Sequence, residues 1–324
     1  MYHYLAHGLH IDSELACPEL LPYESNGKPA DVRIRVGDVR SELANPTSKG
    51  VLYQAKKNQF LLKLDDIARF LVKDGQEIVI QPALESGEDE IRLFLLGSAL
   101  GALLHQRGRL ILHGSAIEIP PPDLSRGTRE QGGIEGGRAV AFVGPSGVGK
   151  STLVAAFRQR GYRVLTDDVS AIALTEDKRP ILFPGICQIK LWADAVKRLA
   201  LDGETMRRVR PQLEKYAFSL REEFDPTPVP LVAVYILTTT NKEEFDLSPV
   251  PPLAKFRILL NHTYRDRFVK ALRVGKAHFK QVTSIGQQIK ISRVTRPSAP
   301  FKHVLTEEGM KELIELLEED FKDA

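Results

Sequence analysis

Apolar residues follow one pattern near the start of the chain and another beyond residue 109. Up to about residue 88 they come in short runs that alternate with polar positions and are broken by turn residues. Val32-Arg-Ile-Arg-Val36 alternates apolar and basic side chains, as a half-exposed strand does. Gln59-Phe-Leu-Leu-Lys-Leu64, residues 68–72 and residues 77–81 repeat the pattern, with Lys73-Asp-Gly75 marking a hairpin turn. These runs predict a small β-rich module over residues 1–88.

Residues 89–108 then change character. Acidic residues open the segment, residues 93–104 are apolar nearly all round, and Arg107 and Gly108 close it. That order predicts a helix, buried between the module before it and whatever follows. From Arg109 onward strand patterns are separated by helical ones. Leu110-Ile-Leu-His113-Gly-Ser-Ala-Ile-Glu-Ile119 reads as a strand, and the proline- and glycine-rich residues 120–137 read as a flexible loop leading to the next strand at 139–143. A helix over 152–160 closed by Gly161, strands at 162–168, 169–174, 180–183 and 230–237, and helices at 193–201 and 204–216 (the latter interrupted by Pro211) follow. A basic helical stretch spans 254–272, and an amphipathic helix capped by Thr306 spans 307–322. The predicted class is α/β, with residues 109–324 forming one domain; no internal repeat is visible.

One stretch in this alternation carries chemistry. Five small or apolar residues, Ala139-Val-Ala-Phe-Val143, run into Gly144-Pro-Ser-Gly-Val-Gly149-Lys150-Ser151-Thr152. This is the Gly-x-x-x-x-Gly-Lys-Ser spacing of a phosphate-binding loop. Glycines let backbone N–H groups turn inward around a phosphate, and the helix that begins here adds its positive end. The loop residues Gly144, Ser146, Gly147, Val148, Gly149, Lys150, Ser151 and Thr152 are therefore the candidate nucleotide cradle. Lys150 would reach the β/γ-phosphates of ATP, and the Ser151 hydroxyl would ligate Mg²⁺.

Composition narrows the partners. The 324 residues are 43% hydrophobic and 27% charged with a net charge of +3, too small a balance to point to a nucleic-acid binder. The longest apolar run, twelve residues over 93–104, is short for a bilayer span, so no membrane is expected. Two cysteines, Cys17 and Cys187, make no disulfide framework, and the first ten residues lack a signal peptide's pattern; the expected compartment is the cytoplasm. His3, His7 and His10 lie close together but without a supporting carboxylate or cysteine pattern, which reads as surface histidines.

Two further features turn a phosphate cradle toward phosphotransfer. Asp167-Asp168 ends the strand after the loop's helix, seventeen residues beyond Lys150. A strand–loop–helix–strand unit of that length brings the pair beside the loop at the carboxyl edge of the sheet. One carboxylate there can hold Mg²⁺ while the other takes a proton from an incoming hydroxyl. His113 lies in the preceding strand beside the small residues Gly114 and Ser115, either as a core histidine or as a group that a ligand approaches.

Leu112-His-Gly-Ser-Ala116, Gly144-Pro-Ser-Gly-Val-Gly-Lys-Ser-Thr152 and Arg160-Gly-Tyr-Arg-Val-Leu-Thr-Asp-Asp168 together resemble the catalytic domain of HPr kinase/phosphorylase. The resemblance extends to its wider relatives, notably the serine kinases of lasso-peptide precursors. It covers about residues 109–190 and, more loosely, the strand-rich beginning. It implies a P-loop of phosphoenolpyruvate-carboxykinase type that transfers the ATP γ-phosphate to a serine. It makes Asp167 the general base on the acceptor, Asp168 a metal or network partner, and His113 a group near the transferred phosphate. The Glu-x-Arg-Gly-Leu-Gly type segment of HPr kinase is missing, which argues against HPr as acceptor and against the phosphorylase reaction. In its place Pro184-Gly-Ile-Cys-Gln-Ile-Lys190-Leu-Trp192 is similar to a segment of the lasso-type relatives, and makes Lys190 a candidate cation near the phosphates, beside a Trp192 expected to be buried.

Positive charge concentrates in Arg207-Arg-Val-Arg210, Lys215 and residues 255–280, while Asn261-His-Thr-Tyr-Arg265 interrupts the last of these with polar groups that could face a site. Arg265 joins Lys190 as a substrate-side candidate, for an acidic or carboxylate-bearing peptide. The expected activity is an ATP- and Mg²⁺-dependent kinase acting on a serine of a peptide or protein, with a lasso-type precursor as the favoured acceptor; a homo-oligomer is compatible. The competing readings are a nucleotide-binding regulator with little turnover and a kinase of a small hydroxyl compound such as free serine.

Overall fold

The computed structural model describes residues 1–25, 27–121, 136–203, 206–209, 213–297 and 307–324. Most of the 120–137 loop, Arg210, Pro211 and the Thr306 cap therefore lie outside the described residues. The architecture is mixed α/β.

The β-rich pattern at the start folds as one sheet. Its strands are β1 (Tyr2–Ala6), β2 (Leu9–Ser13), β3 (Leu21–Pro22), β4 (Val32–Val36) and β5 (Ser48–Lys49), then β6 (Tyr53–Lys56), β7 (Gln59–Leu64), β8 (Ala68–Lys73) and β9 (Glu77–Pro82). They pair in the order β3-β1-β2-β4-β9-β8-β7-β6-β5. Asp74 and Gly75 both take positive φ in the β8–β9 hairpin, as Lys73-Asp-Gly75 predicts.

The apolar segment that follows is helical throughout but not uniform: α1 (Glu88–Phe94), a π-helical turn (Leu95–Ala99) and α2 (Leu100–Gln106). It fills the seam between the first sheet and the rest of the chain. Phe60, Phe70 and Ile80 of the sheet, Leu95 and Leu103 of the helix, and Ile111, Ala171 and Phe268 from beyond it share one core. Phe60 and Phe268 meet with ring centroids 4.4 Å apart. Gly101 on α2 is a packing glycine, since a Cβ there would lie 3.0 Å from the Tyr264 ring.

The remaining elements are β10 (Leu110–Ile119), β11 (Arg138–Val143), α3 (Lys150–Gln159), β12 (Arg163–Thr166), β13 (Val169–Leu174), β14 (Pro180–Phe183), β15 (Gln188–Trp192) and α4 (Ala193–Arg198). Then come β16 (Arg207–Arg208), β17 (Lys215–Ser219), β18 (Val229–Thr240), β19 (Asp246–Pro249), α5 (Pro252–Asn261), α6 (Asp266–Ala271), α7 (Gly275–Gln288), β20 (Lys290–Pro297) and α8 (Glu307–Phe321). The central sheet runs β11-β10-β13-β14-β18-β20-β19, with β12 also on β10 and β11 also beside β18. The loop strand β11 is parallel to β18 and antiparallel to β10. One face packs α5 and α7, the other α3 and α8.

The long strand β10 changes partners midway. Residues 110–113 pair with β13, whereas 114–119 pair with β11 and 116–118 with β12. The strand after the loop helix is therefore not β11's neighbour: β10 stands between them. The β12–β13 turn carries Asp167 and Asp168, so the acids arrive at the level of β10 where the partner changes.

Two expectations fail. The described residues within 204–216 are not helical: Arg207–Arg208 and Lys215–Ser219 form strands of a separate sheet with β15. There Tyr216 and Phe218, two apart, are half-buried against the core that also holds Ile189 and Leu191. That strand pairing overrides the helical composition. The 254–272 stretch is two helices, because residues 262–264 leave the helical path to bond β10 through His113 N to His262 O (2.8 Å) and Tyr264 N to Ile111 O (2.7 Å). Among the described residues, no helix is long and apolar enough to cross a membrane.

Candidate active site

The glycine loop joins the end of β11 to α3. Gly144 has φ +152°, and a Cβ there would stand 2.6 Å from the Leu237 carbonyl of β18, so only glycine fits beside that strand. Gly149, at φ +99°, is the residue before the first turn of α3, and the free N–H groups of that turn face the loop's concavity. Lys150 is 7% exposed and turns its ammonium onto the loop itself, donating to Gly144 O at 3.0 Å and Pro145 O at 3.1 Å. Burial holds this ammonium below its ordinary pKa, against the opposing charges of Asp168 and Asp167.

Asp167 is 6% exposed and closely held. Ser115 Oγ donates to its Oδ1 at 2.6 Å, Ser151 Oγ donates to the same oxygen at 2.8 Å, and the Lys190 backbone N–H donates to Oδ2 at 2.9 Å. Asp168 differs. Its φ of +73° turns it away from its neighbour, its side chain is 43% exposed, and Oδ1 lies 3.6 Å from His113 Nε2. His113 packs against Tyr264, with ring centroids 5.8 Å apart. Burial lowers the imidazole's pKa, Asp168 counters this, and Lys150 adds to the lowering; His113 is thus neutral near pH 7.

These residues line a cleft of about 270 Å³ together with Lys190, Trp192, Asp194, Arg198, Lys215 and Arg296. The sequence-derived candidates His113, Ser146, Gly147, Gly149, Lys150, Ser151, Thr152, Asp167, Asp168 and Lys190 all reach it. Gly144 and Val148 support the loop from behind, and Arg265 does not line the cleft: it stands 5.5 Å from the Tyr264 ring centroid. Trp192 is 47% exposed rather than buried, because its neighbours Ile189 and Leu191 take the inward face of β15. Lys215 lies over the Trp192 ring at 5.6 Å. Of the three early histidines, His3 pairs with Asp12 (2.7 Å), His10 stands near Asp31 (3.5 Å) and His7 is fully buried.

Sequence reading missed Ser115, Arg198 and Arg296 as parts of this region, whereas Lys215 and Tyr264 drew notice as members of a basic and a polar stretch. Ser115 sits inside a string that drew notice for His113. Arg296, which bonds Val148 O at 3.1 Å, comes from the end of β20 and carries no local signal.

The residues fit a nucleotide phosphate chain with a hard cation. A Cβ on Gly147 would meet no atom within 4 Å, and one on Gly149 only Arg296, at 3.9 Å, so the space over the loop is open. The oxygens of Ser151, Asp167 and Asp168 are the donor type Mg²⁺ takes. Among the described residues no group of three or more His, Cys, Asp or Glu is placed to hold a metal.

No protein-family model and no curated protein matches the chain. Among solved structures the chain is similar to the HPr(Ser) kinase/phosphatase from Coxiella burnetii, at 10% identity over 66% of this chain and 94% of that one, with a TM-score of 0.29. A similarity this low assigns no function.

Proposed function

We propose that this protein is a P-loop kinase of the HPr kinase-like kind, transferring the γ-phosphate of ATP to a serine hydroxyl of a peptide or protein. The observation that carries the reading is the bond from Ser151, the loop's metal-binding hydroxyl type, to a strand-end carboxylate, with a second, exposed carboxylate and a neutral histidine beside it. A lasso-type precursor is one acceptor the sequence resemblance suggests.

In this reading the backbone N–H groups of residues 147–151 and the Lys150 ammonium hold the β- and γ-phosphates. Ser151 and Asp167 would hold Mg²⁺, which would neutralise phosphate charge. The acceptor oxygen bonds the γ-phosphorus as the bond from that phosphorus to the β,γ-bridging oxygen breaks; ADP leaves, and the hydroxyl proton passes to Asp168. This division of the acid pair differs from the one the resemblance implies. With three hydrogen bonds and little exposure Asp167 is suited to holding, whereas Asp168 faces the cleft and can receive a proton. His113, neutral, orients Asp168 or donates to the transferred phosphate.

The test is Mg²⁺-dependent transfer of label from γ-labelled ATP to serine-bearing peptides, compared with Lys150→Met. Tight binding of MgATP without turnover against any peptide pool would replace the kinase by a nucleotide-binding regulator.

A further inference from the structure

A second cavity, of about 300 Å³, lies between α1 and the small sheet of β15, β17 and β16. Lys190 lines both this cavity and the phosphate cleft, so the two meet at that residue. The geometry of β15 explains the sharing. Ile189 and Leu191 point into the core, which turns Gln188, Lys190 and Trp192 outward on one face. Gln188 lines only the second cavity, Trp192 only the cleft, and Lys190 both. The Lys190 backbone N–H fixes this junction to Asp167, beside the proposed transfer point.

The cavity's lining is cationic. Arg207 and Lys190, on one face of the small sheet, line it together with Arg221 and Arg92. Its two carboxylates, Glu19 and Asp89, both bond to Arg92, and Asp89 also pairs with Arg207. An excess of guanidinium groups, presented as planar forks, recognises carboxylates in preference to hydroxyls or amides.

Resting on the kinase reading above, we propose that this cavity is the acceptor site, and that it takes a peptide segment rich in carboxylates, whose serine enters the cleft past Lys190. The site is distinct from the nucleotide cradle: among the described residues only Lys190 lines both.

Two capped peptides test it, one with serine flanked by two glutamates on each side and one with serine flanked by two lysines on each side. Fluorescein-labelled forms read binding by anisotropy, and unlabelled forms read transfer from γ-labelled MgATP. The acidic peptide should bind and be phosphorylated at least about tenfold better than the basic one, the value of one charge-assisted contact. Arg207→Glu/Arg221→Glu should erase or reverse that preference, while MgADP affinity stays as in the unaltered protein and reports an intact fold. Arg221→Gln, a milder change, should raise the KM of the acidic peptide and leave kcat in place. Equal binding of the two peptides, or a preference unchanged in the charge-reversed protein, overturns the acceptor site. Selective binding of the acidic peptide without transfer keeps the site and removes the kinase.

Discussion

Ser151 Oγ donates to Asp167 Oδ1 at 2.8 Å, joining the first turn of the loop helix α3 to the turn after β12. The bond exists because β10 stands between β11 and β12 and changes partners beside Gly114, which brings the β12–β13 turn across to the mouth of the loop. Ser115, from β10 itself, completes the anchorage.

The two carboxylates should therefore respond differently to the same change. Asp167→Asn places an amide where two hydroxyls and one N–H all need an acceptor, so one donor loses its partner. Stability should fall by about 1–3 kcal/mol, and the Mg²⁺ concentration needed for half-maximal rate should rise. Asp168→Asn removes a half-exposed proton acceptor: the melting temperature should hold and kcat should fall by about 10²–10⁴. Equal stability losses in the two variants, or undiminished transfer by Asp168→Asn, would sink this division of labour.

Trp192 is the chain's single tryptophan and lines the cleft with 47% of its surface exposed. Titrating MgADP should change its emission, and the change should saturate. Lys150→Met should shift that titration to about tenfold or more higher concentration, since the ammonium is the loop's one mobile charge for the β-phosphate. A Lys150→Met protein with an unshifted curve would mean that the emission reports something other than occupancy of the loop.

Acid should unfold the protein through its buried histidines. Burial, with the Arg109 charge, pushes His7 down to about 3, and burial pushes His105 down to about 4. In the unfolded chain both titrate near 6.5. Below that value the unfolded state binds more protons than the folded one, so this stability is complete above pH 6.5 and drains away as pH falls. Between pH 6.5 and 4.5 each histidine should cost on the order of 2 to 3 kcal/mol. His113, His262 and His278, also lowered by burial, add to the same slope. Urea midpoints across that range measure it, and His7→Asn should reduce the slope; a flat profile contradicts the burial argument.

Arg163 and Glu118 face each other across β12 and β10, 7% and 3% exposed, with Nη1 donating to Oε2 at 2.8 Å. The guanidinium also donates to the carbonyls of Asp225 (2.7 Å) and Thr227 (3.0 Å). Glu118→Ala leaves a buried cation with only the more distant Asp225 carboxylate, at 3.6 Å, as counter-charge and should cost about 3 kcal/mol in chemical denaturation. A loss below about 1 kcal/mol would show that Asp225 and the backbone carbonyls suffice.

Local pattern determined a good deal of this protein. The strand at 32–36 follows from alternating apolar and basic residues, the strands at 59–64 and 230–237 from short apolar runs between turn residues, the 88–106 helix from a continuous apolar run between charged ends, and the loop at 144–149 from glycine positions that φ and close approach demand. His113, Lys150, Ser151 and the Asp167-Asp168 pair were legible because each has a type and a spacing tied to a recognisable strand or loop. Tertiary structure decided the rest. Residues 207–208 and 215–219 became strands because sheet pairing with β15 and the packing of Tyr216 and Phe218 outweigh local composition. Trp192 turned outward because β15 alternates and its neighbours fill the core. Arg296 reached the loop from β20, and Tyr264 reached His113 over a packing glycine of α2, through contacts between residues remote in sequence. Periodicity records which face of an element is buried; it holds no record of which strand lies beside which. That order of strands is what set the two acids in different surroundings and joined a cationic cavity to the cleft at Lys190.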